Sequence, residues 1–248
     1  MININIQEKS WPATERTAKQ SVIKNLKFSL ESGEFICMVG PSGCGKSTLL
    51  NLLAGLDSDF EGQIQLESKS KNYSPHIGYV FQNPRLLPWR TVRENIDLAL
   101  PEPLPEQSSV VVDNLIEVMG LTGAQHKYPE MLSLGMSRRV ALVRAFAIQP
   151  DFLLMDEPFV SLDAPTARKV QKLLIDVWKK RPHTVLFVTH DLNEAILLAD
   201  RILFLAPSPT KIIADIKIDI SRESRDEEKI DRFKKKLFEE NEEIRMLL

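Results

Sequence analysis

The residues whose types and spacing could do chemistry begin with Gly40-Pro41-Ser42-Gly43-Cys44-Gly45-Lys46-Ser47-Thr48. The apolar run Phe35–Val39 precedes them and the leucine-rich Leu49–Leu56 follows, so the order predicts strand, glycine loop, helix. That arrangement suits a phosphate. Gly40, Gly43 and Gly45 let the backbone turn tightly and point successive N–H groups inward, and the following helix adds the positive end of its dipole. Lys46 supplies a point charge for β- and γ-phosphates, and the Ser47 hydroxyl is placed to ligate Mg²⁺. Pro41, Ser42, Cys44 and Thr48 complete the cradle, and the stretch is expected to bind a nucleoside triphosphate.

Other polar groups stand at the tips of apolar runs. Phe152-Leu153-Leu154-Met155-Asp156-Glu157 reads as a buried strand ending in a pair of carboxylates, where open α/β sheets bind their ligands. Asp156 is expected to hold the Mg²⁺ shell and Glu157 to polarise an attacking water. Val185-Leu186-Phe187-Val188-Thr189-His190-Asp191 repeats the design, and an imidazole at that tip can meet a γ-phosphate oxygen or hold the water. Gln82, closing the run Ile77–Phe81, offers an amide to both Mg²⁺ and water. Read alone, these are an acidic turn, a solvent-facing histidine and an unremarkable glutamine. Beside a phosphate loop they predict hydrolysis, with Lys46, Gln82, Glu157 and His190 as its catalytic groups.

The elements that must position these groups follow from periodicity. Ile2–Ile6, Val22–Leu30 and Phe35–Val39 read as strands, with Ser32-Gly33 as a turn, and Ser10–Gln20 is polar around an isolated Trp11. After Gln82 the composition shifts: Pro84, Pro88, Pro101, Pro103 and Pro105 punctuate the chain, and helical patterns run over 92–100 and 109–120. Residues 84–146 are expected to be a helical insertion. Strand character at 152–155, 184–188 and 201–205 alternates with helices at 165–180 and 191–199, which implies a parallel sheet covered by helices. A strand-like Ile212–Ile220 and a charged helix over 226–246 end the chain.

Composition narrows the function classes. At 248 residues one elaborated α/β domain is expected. The net charge of −2, from 32 basic and 34 acidic residues, lacks the basic excess of a nucleic-acid binder. No apolar run approaches the roughly 18–20 residues of a membrane-spanning helix, and Met1–Ile6 alternates like a strand rather than a signal peptide. Cys37 and Cys44, one in a strand and one in the loop, cannot staple the fold and suit a reducing cytosol. No N-K-x-D segment is present to read guanine.

The chain resembles the ATP-binding subunit of an ABC transporter over about residues 1–206. Gly40–Thr48 resembles the Walker A loop, Phe152–Glu157 the Walker B strand, Gln82 the Q-loop and His190 the switch histidine. Leu132-Ser133-Leu134-Gly135-Met136 stands where the signature L-S-G-G-Q falls, opening a helix Ser137–Ala147, and Val160-Ser161-Leu162-Asp163 resembles the loop after Walker B. The fold implied is a P-loop NTPase (RecA-like) α/β core with an N-terminal antiparallel β subdomain and an inserted α-helical subdomain. Residues 207–248 then form a short strand-plus-helix extension. The resemblance implies ATP and Mg²⁺, a head-to-tail homodimer beneath membrane permease subunits, an indirect solute-binding partner and a place on the cytoplasmic face. It maps Ser133 and Gly135 onto the partner's γ-phosphate and makes Trp11 a candidate for stacking on adenine. Leu134 departs from the pattern, which has glycine there. Val80–Trp89 and Asp156-Glu157-Pro158-Phe159 look like the nitrate/sulfonate/taurine import group, implying a small oxyanion or sulfonate as cargo.

Overall fold

The computed structural model describes residues 1–13, 18–66, 75–100, 106–160, 162–207 and 209–248. Pro101, Pro103, Pro105, Ser161 and part of the polar 10–20 segment lie outside the described residues. The first elements are β1 (Ile2–Trp11), β2 (Gln20–Leu30), β3 (Phe35–Val39), α1 (Lys46–Leu53) and β4 (Glu61–Leu66). Next come β5 (Ile77–Val80), α2 (Val92–Asp97), α3 (Glu106–Val118), α4 (Leu134–Ala147), β6 (Phe152–Asp156) and α5 (Ala164–Lys180). The chain closes with β7 (Thr184–Thr189), α6 (Leu192–Leu198), β8 (Arg201–Ala206), β9 (Lys211–Lys217), α7 (Glu227–Glu240) and α8 (Glu242–Leu247). Two compact units result, residues 1–74 with 184–248, and residues 75–183.

In the first unit β2, β1 and β4 form an antiparallel sheet in that order. Ile2, Ile4 and Ile6 are buried while Asn3 and Asn5 are not, the alternation of a strand with one face in a core. β4 has no such pattern and was not expected. Its register against β1 sets Ile4 opposite Ile64. At Gly62 (φ +133°) a Cβ would stand 2.2 Å from the Asn5 carbonyl oxygen, so glycine is what lets the strands close. The other strands of this unit behave differently. β3 lies between β7 and β8 and runs parallel to both, with β9 antiparallel on β8. Every residue of β3 and β7 is buried, which is why both read as unbroken apolar runs.

The C-terminal segment departs from expectation in two places. The strand ends at Lys217 rather than Ile220, and the charged helix is divided at Asn241, which is extended (φ −136°, ψ 90°). The Asn241 side-chain amide donates to the Leu237 carbonyl at 3.1 Å, so its side chain caps α7 instead of continuing it. Arg225, nearly buried, ties this segment to the end of α6. Its guanidinium donates to the carbonyls of Ile196 (2.8 Å), Ala199 (2.7 Å) and Ile220 (3.0 Å), and burial, with Arg222 nearby, pulls its pKa down to about 10. Arg225→Ala would remove these buried hydrogen bonds, and we expect a loss of about 2–4 kcal/mol. A urea midpoint unchanged from wild type would contradict this.

In the second unit β5 pairs parallel with β6, and α4 packs on α2, α3 and β5. A capping box starts α2: the Thr91 hydroxyl accepts from the Glu94 N–H and the Glu94 carboxylate accepts from the Thr91 N–H. Asn95, fully buried in α2, was not flagged by the sequence. Its amide donates to the carbonyls of Arg90 and Thr91 (both 2.9 Å) and accepts from the Leu87 N–H (2.7 Å), fixing the Leu86–Trp89 loop. Trp89 at the tip of that loop is 70% exposed.

Candidate active site

In the first unit β3 ends at Val39 and the chain turns through the glycine loop into α1. Gly43 and Gly45 have φ of +77° and +92°, the left-handed region that glycine enters without strain. A Cβ on Gly40 would lie 2.5 Å from the Leu205 carbonyl oxygen, so the loop also needs glycine for close approach. The Lys46 ammonium, almost entirely buried, donates to the carbonyls of Gly40 (2.7 Å) and Pro41 (2.8 Å). An ammonium has three donors, and with two on these carbonyls and the third on the Cys44 sulfur at 3.7 Å, a weak acceptor, the loop itself fixes the cation. Ser42, Gly43 and Ser47 are exposed, whereas Cys44 is buried with its sulfur 3.7 Å from the Lys46 nitrogen. Its thiol packs inside the loop and is not an open site for modification.

His190 follows the fully buried β7 and is exposed at its tip. The turn is braced by residues that the sequence did not single out. The Thr189 hydroxyl donates to Glu194 (2.7 Å) and accepts from the Asp191 N–H (3.0 Å), and Asp191 caps α6 by accepting from Asn193 (2.8 Å). Burial, then the carboxylates of Glu194 and Asp191, push the Cys37 thiol well up, so it stays protonated. Trp11 ends β1 and is 46% exposed, with the Lys9 ammonium 4.5 Å from its ring centroid. Lys9 itself is held by Asp57 at 2.9 Å.

The acidic residues belong to the second unit. β6 is buried along its length and delivers Asp156, almost buried, as its last residue. Glu157 follows with φ +46°, unusual for a residue with a Cβ, a strain that the surrounding contacts must hold. Arg138 of α4 donates to the Glu157 carbonyl at 3.3 Å and to the Val160 carbonyl, and so supplies that hold. The Gln82 side-chain amide donates to the Glu157 carboxylate at 3.2 Å. Residues 75 positions apart are thus brought together. Beneath them Tyr79 stacks on Phe81 at 4.0 Å, and burial, then the Asp156 charge, push its phenol far up, so it stays neutral.

The Ser133–Met136 stretch differs from its sequence reading. The helix begins at Leu134, not Ser137, with Ser133 as its cap accepting from the Met136 N–H at 3.2 Å. Gly135 therefore lies within the first turn, where N–H groups have no intrahelical partner and the dipole is positive. Leu134 is 53% exposed and turned to solvent.

Hard oxygen donors of the kind magnesium takes are present at Ser47 in the first unit and at Gln82 and Asp156 in the second, and the Gln82 bond to Glu157 uses its amide nitrogen rather than its oxygen. Among the described residues no group of three or more His, Cys, Asp or Glu gathers.

The sequence profile of the family described as ABC transporter matches residues 23–160. The aliphatic sulfonates import ATP-binding protein SsuB of Bacillus licheniformis is 43% identical over 222 residues, 88% of this chain and 85% of that protein. The nitrate import ATP-binding protein NrtD of Synechococcus elongatus is 44% identical over 199 residues, 78% of this chain and 73% of its own. Among solved structures, the dimeric cassette MJ0796 superposes with a TM-score of 0.78 at 29% identity, covering 89% of this chain and all of that one. A second MJ0796 dimer, described as a post-hydrolysis state bound to ADP and Pi, gives 0.77 at 28% identity, with the same coverage of both chains.

Proposed function

The chain belongs to the ABC transporter family of ATP-binding proteins, and from that premise we propose that it hydrolyses ATP as a head-to-tail homodimer to drive import through separate permease subunits. It has the P-loop NTPase fold of that family. The observation that carries the catalytic part is the Gln82 amide on the Glu157 carboxylate at the tip of a buried strand, in a chain that also holds a lysine-charged phosphate cradle. Relatives named for sulfonate and nitrate import support a small oxyanion or sulfonate as cargo. The same relatives support membrane association, here on the cytoplasmic face through the permease, with a solute-binding protein as an indirect partner.

In this reading the loop N–H groups and Lys46 bind and orient the triphosphate, in keeping with the positioning and electrostatic character of phosphoryl transfer. Ser47, Gln82 and Asp156 would hold Mg²⁺, which when bound neutralises charge on the β- and γ-phosphate oxygens. Glu157 takes a proton from the attacking water while Gln82 keeps the carboxylate aimed. His190 hydrogen-bonds the γ-phosphate, and Ser133 and Gly135 of the partner copy close the site with a helix N-terminus. The exposed Trp89 loop suits a permease contact better than water.

Steady-state ATP hydrolysis by the chain assembled with its permease, screened with small oxyanions and sulfonates, tests this directly. Stimulation by a sulfonate, nitrate or related anion supports the reading, and an assembled complex that hydrolyses no ATP removes it. Trp11 can be tested separately. Trp11→Ala is expected to weaken ATP binding about three- to tenfold through lost stacking. Equilibrium titration showing unaltered affinity would take Trp11 out of the site.

A further inference from the structure

Thr210 lies between β8 and β9, far along the chain from the glycine loop, and belongs to none of the motifs above. It is completely buried. Its N–H donates to the Val22 carbonyl at 2.7 Å, and its hydroxyl oxygen is 2.8 Å from the Val22 carbonyl oxygen and 2.6 Å from that of Cys44. A threonine hydroxyl has one proton. Val22 already accepts from the Thr210 N–H and Cys44 is the shorter contact, so the proton belongs to the Cys44 carbonyl.

That carbonyl and the Gly45 N–H share one peptide plane, and in a trans peptide they point in opposite directions. Holding the Cys44 oxygen against Thr210 therefore aims the Gly45 N–H to the other side of the loop. The fit is close: a Cβ on Gly45 would lie 2.4 Å from the Thr210 hydroxyl oxygen and 3.1 Å from a Val22 methyl. The loop has no room to rock toward Thr210. A parallel bridge between Ile23 and Thr210 anchors the connection to β2.

We propose that Thr210 is a positioning residue for ATP binding: its hydroxyl sets the Cys44–Gly45 peptide so that the Gly45 N–H faces the phosphates. The segment after β8 is then part of the nucleotide site's scaffold. This rests on the phosphate-binding reading of Gly40–Thr48.

The test is titration of the purified full chain with Mg·ATP and with ADP, using wild type, Thr210→Val and Thr210→Ser, with melting temperatures of the nucleotide-free proteins. Valine keeps the shape and removes the hydroxyl, and is expected to raise both dissociation constants about tenfold, whereas serine stays within about twofold of wild type. In the assembled transporter KM for ATP rises with Thr210→Val while kcat at saturation changes by less than about twofold. Unchanged affinity in Thr210→Val overturns the proposal, and so does equal weakening by valine and serine, which would make packing the cause. Should the valine variant not fold, Thr210→Ala against Thr210→Ser isolates the same hydroxyl, and equal affinities there overturn it. A wild-type chain that binds neither nucleotide defeats the underlying phosphate-binding reading, a result distinct from indifference to Thr210.

Discussion

Glu157→Gln is expected to lower ATP hydrolysis by at least about 100-fold while leaving ATP affinity nearly unchanged, the loss typical of removing a general base. The substitution is close to isosteric. The side-chain amide can still meet Gln82, which now donates to the Glu157 carboxylate at 3.2 Å, and Arg138 still holds the backbone carbonyl. What disappears is the proton acceptor. Binding depends on the glycine loop and Lys46, neither of which the change touches. The variant should therefore trap ATP, and its dimer should persist on a sizing column with Mg·ATP and dissociate when ATP is washed out. Phosphate release measured on the assembled complex decides the matter. Near-normal turnover would show that the carboxylate orients nothing essential, and the proposed mechanism would fail.

Lys46→Ala is expected to act a step earlier, weakening nucleotide binding by about 100-fold or more, because charge-assisted hydrogen bonds to the phosphates are lost together with the local positive charge. The structure adds a second cost. The ammonium donates to the carbonyls of Gly40 and Pro41 at 2.7 and 2.8 Å, so its removal leaves a pair of carbonyl dipoles facing an anion. Lys46→Arg is not expected to rescue it. A planar guanidinium cannot replace a compact point charge in a site that leaves Lys46 only 7% exposed. Fluorescent-nucleotide titration separates the outcomes: micromolar binding retained by Lys46→Ala would mean that the backbone N–H groups alone carry the phosphates.

These effects trace to features of very different visibility. The glycine loop is legible because its chemistry is local: φ of +77° and +92° at Gly43 and Gly45 demands glycine wherever the rest of the chain goes. β3, β6 and β7 are legible because strands buried on both faces must be apolar throughout. β4 was not, since Glu61-Gly62-Gln63-Ile64-Gln65-Leu66 becomes a strand only by pairing with β1, and pairing partners leave little mark on a short polar segment. The start of α4 at Leu134 was missed because a leucine and a glycine behind a serine do not announce a first turn, although Ser133 is an ordinary cap.

By itself the sequence determined that a glycine-rich loop carrying a lysine, a pair of acids at a strand tip, an isolated histidine and a glutamine occur in one chain, because each of these is written in consecutive residues. Only the tertiary structure decided that Gln82 meets Glu157, that Arg138 holds Glu157 at φ +46°, that Asn95 fixes the Trp89 loop, and that Thr210 carries the Cys44 carbonyl. The reason is physical. A hydrogen bond between residues 75 or 166 positions apart has no periodicity and no local propensity to betray it, so it exists only once both backbones have been packed into place.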